Sequence, residues 1–526
     1  MKERLGETLE NSFYQLILVY SAFVILIAFG FLRRFSLQFH IFALLVAFAG
    51  IWILLKDGKQ FDIKKGLYYS IFVLAILFII VLRVIPYIGN DIPLGYDTGL
   101  YKYAIEKGLE NRDLWVLQGV EPGFLYFMNF VKMFFDINFI LKWLFIGFNV
   151  ILGFSVYLFV KEYWNKNAAL ISLLLYAVSV VQFLTFWYMY YKNIIGLSLM
   201  LFAFYFLIRY KKNKEKKNLA AFVVIAGVLG GIHRPTFYMF GLSYFVYAFV
   251  KPYRDKVYNW NELKVNILSG ILILIIAFSF YIGDFFVSIT TVLPWVAKGF
   301  IAPGESPGTF ISFFQYQFSV LPYLPFAILG LFYLWKRDNK SILFVWAVIN
   351  LIIVYFQFFF FKRFIIHLDV ALLISAGIGF SEFIERKRKL GVFVCSLLIL
   401  SAGFLVWGQS VNSKPLIDKE GLSLIQDLAL KTEPDAKILA MSSEYSPWVL
   451  AYSNRATLAP GLFDENIWSE DEWREFWDNG DINRTKELVG KYNGNIYLFA
   501  GTKRFKNECF EVFLERGENK VYKYTC

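Results

Sequence analysis

The chain has 526 residues, of which 58% are hydrophobic and 20% aromatic, and its mean hydropathy is +0.52. Soluble domains hold roughly 45–50% apolar residues, so this excess excludes an ordinary water-soluble fold and calls for solvation by lipid. The formal charge of +12 does not signal nucleic acid, because the basic residues fall in short clusters between apolar runs rather than along one amphipathic face.

Apolar runs of spanning length, or close to it, lie at about 12–32, 38–55, 67–87, 138–160, 168–189, 194–208, 219–232, 237–250, 265–287, 319–335, 341–360, 364–382 and 390–408. They predict an all-α polytopic membrane domain of about thirteen transmembrane helices over residues 1–409, with the pair around 219–250 short for a full crossing. The first run, Ser12 to Leu32, has the roughly 20 residues a span needs and reads as a retained helix rather than a cleaved leader.

With the N-terminus cytoplasmic, the inner segments collect 25 basic residues, including those of KKNKEKK and ERKRK, against 13 in the outer segments up to residue 410. The positive-inside tendency therefore selects a cytoplasmic N-terminus in a multi-pass plasma-membrane protein and places the C-terminal region outside. Two outer loops exceed what a simple connection needs, 88–118 and 290–318. From residue 410 the chain turns charged and mixed, and the runs KILAM (437–441), NIYLFAG (495–501) and KVYKYT (520–525) predict strands of a small extracytoplasmic α/β domain, 410–526. Cys509 and Cys526 both fall in that outer domain, where a disulfide between them is permitted. Cys395 lies in the last span, and no His/Cys cluster has zinc spacing.

The first outer loop reads GNDIPLGYDTGLYKYAIEKGLENRDLWVLQGVEPGFLYF. It sets three carboxylates, Asp91, Asp97 and Glu121, at the membrane surface. Leu100, Tyr101 and Ala104 follow Asp97 at helical spacing, and Tyr101 is a candidate substrate-binding residue. Asp97 therefore either caps an interfacial helix or serves as a general base or metal ligand (Mg or Mn) beside lipid headgroups. Basic residues also stand at outer span ends, where the charge rule disfavours them: Arg83, Lys192 in YYKNIIG, Arg234 in GGIHRPTF, and Lys362 and Arg363 in FFFKRFIIHLD. Snorkelling accounts for Arg83 or Lys192 taken alone. For His233–Arg234 and Lys362–Arg363 a phosphate is the better partner, because guanidinium binds it in bidentate fashion. His367 and Asp369 either orient the second basic pair or pack at the interface.

Carboxylates and phosphate-binding cations among outer helix ends describe a site for a polyprenyl-phosphate-linked sugar. The phosphate leaves with cationic help, and the protein need supply only a base for the acceptor hydroxyl.

The stretches GYDTGLYKYA, EPGFLYF, HRPTF and KRFIIHLDVALLISAGIGF resemble the multispanning glycosyltransferases of the GT-C superfamily, which include polyprenyl-phosphate-dependent mannosyl and aminoarabinose transferases and the catalytic subunit of oligosaccharyltransferase. The resemblance implies a GT-C-like fold and transfer of a sugar from a polyprenyl phosphate or diphosphate to a glycan, lipid or protein acceptor. It also implies that Asp97 is the loop carboxylate. The run SSEYSPWVLAYSNRATLAPG is similar to the oligosaccharyltransferase segment that begins with WWDYG, but reads SSEYS at the signature, without both tryptophans and the aspartate. Glu305 matches that family's loop glutamate by location only, and FWDNG at 476–480 falls too late to stand for the signature.

Two other classes compete. A polysaccharide polymerase explains Asp97 to Tyr101 and Glu121 to Phe124 but leaves the outer α/β domain without a role. A transporter calls for an internal repeat or for charge deep in the spans, where Asp284 is the main acid.

Overall fold

A computed structural model describes residues 63, 65–108, 119–254, 257–282, 311–358, 361–442, 444–460, 467–478 and 481–526. The candidate spans at 12–32 and 38–55, Asp284, Glu305, the end of FWDNG and most of the loops 88–118 beyond residue 108 and 290–318 lie outside these residues. Contacts group the chain into two units. One holds the described residues up to Ile85, Ile146–Thr185 and Lys192–Asn412, and the other holds Pro86–Phe145, Phe186–Tyr191 and Ser413–Cys526.

The first unit is helical. Among the described residues, six helices are long and apolar enough to cross a membrane: Lys65–Tyr87, Ile137–Tyr163, Tyr191–Asn213, Trp260–Ser279, Phe361–Arg386 and Arg388–Asn412. Counting each of two bent pairs as one span gives eight: Lys166–Ala177 with Val180–Trp187 at 50° and Phe313–Val320 with Leu324–Asp338 at 80°. The protein is thus a multi-pass membrane protein. The runs expected at 219–232 and 237–250 form helices Lys216–Ile232 and Arg234–Val250 of 17 residues each, about 25 Å long at 1.5 Å per residue and shorter than a hydrocarbon core of about 30 Å. Capping residues mark the helix starts: the Asn165 side chain accepts from Ala168 N at 2.7 Å, Ser341 from Phe344 N at 3.2 Å and Asn259 from Glu262 N at 3.0 Å.

Phe361–Arg386 is the buried centre of this unit, its apolar window wholly enclosed. Small residues let neighbours approach it: a methyl group on Gly379 would overlap the Phe326 carbonyl, and one on Gly377 would come within 2.9 Å of the Ala168 carbonyl oxygen. Lys65–Tyr87 is the opposite case, with Leu67, Val73, Leu74, Leu77 and Val81 exposed for lipid to cover.

The second unit contains a five-stranded mixed sheet. In chain order the strands are β1 (Lys437–Ala440), β2 (Ala456–Leu458), β3 (Ile496–Gly501), β4 (Phe510–Arg516) and β5 (Asn519–Tyr524). The spatial order is β2-β1-β3-β5-β4, with β1 parallel to β2 and β3 and the last two pairings antiparallel. Side chains alternate between two covered faces. Ile438, Ala440, Tyr497, Phe499 and Val521 pack on Leu424, Ile425, Leu428, Trp448 and Val449. Leu439, Leu458, Ile496 and Leu498 pack on Trp468, Trp473, Phe476, Leu488 and Val489. Helices on both faces account for the complete burial of β3. Cys509 and Cys526 form a disulfide, with Cα atoms 5.0 Å apart, which ties the chain before β4 to the chain after β5.

Candidate functional site

In the second unit, Asp91 is exposed at the start of the loop, and its carbonyl accepts from Lys142 Nζ at 3.0 Å. The chain then turns at Gly95, whose φ is +82°; a Cβ there would stand 2.6 Å from the Tyr188 carbonyl carbon and 2.7 Å from Met189 Cβ. Only glycine meets both demands. The next residue, Tyr96, hydrogen-bonds with Ser446, and burial first, then the charge of Asp97, pushes its phenol up to about 12. Glu444 adds a smaller push on Tyr96 and also acts on Tyr188. Tyr96 therefore senses two carboxylates, one from the first loop and one from the SSEYS segment.

Asp97 takes the N-cap position of helix Thr98–Lys107, but its side chain makes no capping hydrogen bond. The backbone carbonyl of Asp97 accepts from Tyr101 N at 2.9 Å, and the Thr98 hydroxyl bonds to the Leu94 carbonyl. The partly exposed carboxylate is thus not spent on starting the helix. One face of this helix rests on helix Ser446–Ser453, where Lys102 Nζ donates to the Ala451 carbonyl at 3.3 Å and lies 4.7 Å from the centre of the Tyr452 ring. On another, Tyr101 is 4% exposed in a cluster with Phe124 at 5.5 Å and Tyr191 at 5.8 Å. Glu121 stands before helix Pro122–Lys132, is 2% exposed and likewise makes no capping bond through its side chain.

In the first unit, the expected cations occupy first turns of helices: Lys192 in Tyr191–Asn213, Arg234 in Arg234–Val250, and Lys362 and Arg363 in Phe361–Arg386. All four are partly exposed. The positive end of a helix dipole repels such charges, so an anion there is favoured twice over. Residues four apart share a helix face; Gly196 lies one turn below Lys192 and His367 one turn below Arg363, while His233 and Thr236 flank Arg234 at the start of its helix. His233 Nδ1 is 2.7 Å from Thr236 Oγ1, which is 3.1 Å from Nε2 of His367, four residues after Arg363. A methyl group on Gly196, four residues after Lys192, would lie 3.0 Å from His233 Cβ. Three helices that each carry a cation in the first turn are therefore in contact near their starts, through Gly196, His233, Thr236 and His367.

Arg83 departs from its expectation. It is fully buried rather than snorkelling, with Nε donating to Asn149 Oδ1 at 2.9 Å and Nη2 to the Gln182 carbonyl at 3.5 Å. Asp369 is also fully buried, accepting from Ser179 at 2.9 Å, Gln182 at 2.7 Å and the Tyr323 hydroxyl. Its partners are thus the residues at the bends of the two broken helices, not the Lys362–Arg363 pair. Sequence reasoning passed over Thr236, Tyr96 and Ser446; only the His-x-x-Thr spacing at a helix start carried a signal for the first. Among the described residues, no group of three or more His, Cys, Asp or Glu gathers as a metal-ligand set.

Comparison with solved structures places this architecture. The oligosaccharyltransferase AglB from Archaeoglobus fulgidus, in complex with an inhibitory peptide and a dolichol-phosphate, superposes with a TM-score of 0.59 at 15% identity, covering 84% of this chain and 70% of that one. ArnT from Cupriavidus metallidurans bound to undecaprenyl phosphate superposes with a TM-score of 0.56 at 11% identity, covering 88% and 98%. The chain has the GT-C fold. Residues 120–282, within that fold, also match the family described as dolichyl-phosphate-mannose-protein mannosyltransferase. No curated protein matches the chain. The Archaeoglobus fulgidus enzyme is also known in complex with Zn and sulfate, and that structure superposes with a TM-score of 0.51 at 15% identity over 82% of this chain and 68% of that one. With these likenesses, the GT-C fold accounts for both the helical unit and the sheet-bearing one.

Proposed function

We propose that this GT-C protein transfers a sugar from a polyprenyl-phosphate or polyprenyl-diphosphate donor to a glycan, lipid or protein acceptor. The observation that carries the reading is that Lys192, Arg234 and Lys362–Arg363 occupy the first turns of three helices that touch near their starts through Gly196, His233, Thr236 and His367. In a fold whose solved examples include proteins with dolichol-phosphate and undecaprenyl phosphate bound, a lipid phosphate is the anion that suits these cations.

In the proposed reaction Asp97 takes the proton of the acceptor hydroxyl as its oxygen attacks the anomeric carbon. The bond from that carbon to the phosphate oxygen breaks, and polyprenyl phosphate or diphosphate leaves with its charge held by Arg234, Arg363, Lys362 and Lys192. Attack opposite the leaving group inverts the anomeric configuration. Asp91 and Glu121 are the alternative carboxylates, and Tyr101 supports the site by packing the helix that follows Asp97. The described residues do not assemble a cation site of their own. A requirement for Mg or Mn is therefore proposed only through Asp97, and no step is routed through the metal. The reaction is assigned to the outer membrane face, with the N-terminus cytoplasmic and residues 410–526 extracytoplasmic.

The test is incubation of the purified protein with a panel of radiolabelled polyprenyl-phosphate and polyprenyl-diphosphate sugars. Consumption of one of them with release of the polyprenyl carrier is expected. A protein that binds none and consumes none would overturn the reading.

A further inference from the structure

Helix Pro122–Lys132 has two unlike faces. Phe124, Leu125 and Met128 are buried, whereas Phe130, Met133 and Phe134 are 60%, 77% and 65% exposed, with the Phe130 and Phe134 rings in edge contact at 5.3 Å. Tyr126, one turn before Phe130, is half exposed on the same face. Elsewhere in the sheet-bearing unit, exposed apolar side chains such as Leu430, Ile467 and Val512 stand far apart in the chain, as on ordinary protein surfaces. Here they follow one another along a single face, the arrangement that marks contact with something apolar. What covers the stripe follows from the chain beyond it. The membrane span Ile137–Tyr163 begins three residues after Phe134, the Phe135 ring stacks on Phe139 of its first turn at 4.6 Å, and Trp143 is exposed one turn further on. The apolar surface thus continues from the helix into one that lipid must cover. With 11 residues the helix is about 16 Å long, too short to cross, since a span takes roughly 20 residues. Lys132 and Asp136 are exposed on either side of Met133 to Phe135, which suits headgroup level rather than the hydrocarbon interior.

We infer that helix Pro122–Lys132 is seated in the lipid–water boundary through Phe130, Met133 and Phe134, and that this seat sets the depth of the helix that follows Asp97. The opposite face of the seated helix supplies the link. Phe124 packs on Tyr101 with ring centres 5.5 Å apart and on Tyr191 at 5.9 Å, and Leu125 is buried with Ala104. Tyr101 and Ala104 lie one and two turns beyond Asp97 in helix Thr98–Lys107. Close-packed side chains do not slide past one another without opening a void, so a helix held by lipid on one face carries along the helix packed on the other. The contact with lipid rests on the exposures and the continuity with the span. Only the use of the depth, which is to bring the Asp97 carboxylate level with a donor embedded in the membrane, rests on the proposed function.

The experiment uses the full-length protein in nanodiscs of phosphatidylcholine and phosphatidylglycerol, without donor. Spin labels are attached singly at Phe130→Cys and Phe134→Cys and, as a water-facing reference, at Leu430→Cys, a position 84% exposed in the sheet-bearing unit. The native cysteines do not compete, because Cys395 is buried and Cys509 is bonded to Cys526. Collisions with oxygen, which concentrates in lipid, are compared with collisions with a nickel chelate, which stays in water. Labels at Phe130 and Phe134 are expected to favour oxygen and the label at Leu430 to favour nickel. Labels at Phe130 and Phe134 as open to nickel as the reference, or reached by neither reagent because a protein surface covers them, overturn the contact with lipid. A label at Glu106→Cys, in the helix after Asp97, then reads depth. Nickel access there should rise when Phe130→Ser and Phe134→Ser are combined, and should stay parental when Phe130→Leu and Phe134→Leu are combined. Access unchanged by the serine pair, or raised equally by the leucine pair, overturns the depth-setting role. Met133→Ser alone, at the most exposed of the three positions, carries the same test if the serine pair does not fold. Neither readout involves donor, so a protein that transfers no sugar would lose the proposed function while the seat in lipid stood.

Discussion

Gly99 lies so close to Pro447 that a methyl group on it would overlap the Pro447 carbonyl. This fit joins the helix after Asp97 to the helix that follows the SSEYS segment, residues separated by about 350 positions of sequence. Gly99→Ala should therefore push the two helices apart, at about 1–3 kcal/mol for an overpacked contact. Thermal unfolding and transfer rate should fall together. Unchanged values for both would show that the contact carries no strain and positions nothing.

Asp97→Asn is expected to fold normally, because the aspartate makes no capping bond that asparagine would have to replace. Transfer should fall by about 10²- to 10⁴-fold through loss of the base, while binding of the lipid donor persists. Chelation separates the two chemical roles. A base needs no cation, so activity should survive EDTA, whereas activity lost and then restored by Mg or Mn would make Asp97 a ligand. An asparagine variant turning over at the parental rate would move attention to Asp91 and Glu121.

Arg234→Ala and Arg363→Ala should each weaken binding of the donor, and lysine at either position should restore only part of it, since a point charge cannot reproduce the bidentate fork. Titration of donor into variants matched for expression checks this. Normal affinity in both alanine variants would return these residues to the role of interfacial anchors.

Orientation is checked by reporter fusions. A fusion after Lys217 or Lys389 should report cytoplasm and one after Lys503 the exterior, following the distribution of basic residues. A cytoplasmic reporter after Lys503 would invert the scheme and move the proposed chemistry to the opposite face.

Removing the disulfide by Cys526→Ser should lower the stability of the sheet-bearing unit, by about 3 kcal/mol on loop-closure grounds for a loop of this length. Non-reducing peptide mapping of protein from the native membrane should recover Cys509 and Cys526 in one linked fragment. Two alkylatable thiols would refute the bond.

Lipid-facing helices and three of the five strands were legible because each is a local pattern: a run of apolar residues, or a short β-branched and aromatic stretch between turns. Strand β4 was not, because it runs along the edge with Glu511, Glu515 and Arg516 exposed and a break in register between Val512 and Leu514, which together erase the alternation. Arg83 was misread for a different reason. Its partners Asn149 and Gln182 stand 66 and 99 residues away, and from sequence alone a charge at a span end looks solvated. The cations at the helix starts were legible as anomalies of charge placement. That their three helices meet near these starts was not, because the contact depends on Gly196, Thr236 and His367, ordinary residues until the helices are packed. The same holds for residues 86–145 and 186–191, which group with the C-terminal sheet although more than 200 residues of chain intervene between Tyr191 and Ser413.

Asp369 accepts from Ser179, in the break between Lys166–Ala177 and Val180–Trp187, and from Tyr323, in the break between Phe313–Val320 and Leu324–Asp338. One carboxylate thus serves two elbows, and neither can straighten by itself: pulling Ser179 or Tyr323 away would strip a partner from a charge sealed off from water. The two joints are yoked, so any movement of the membrane region that flexes one must carry the other along or break the link at Asp369.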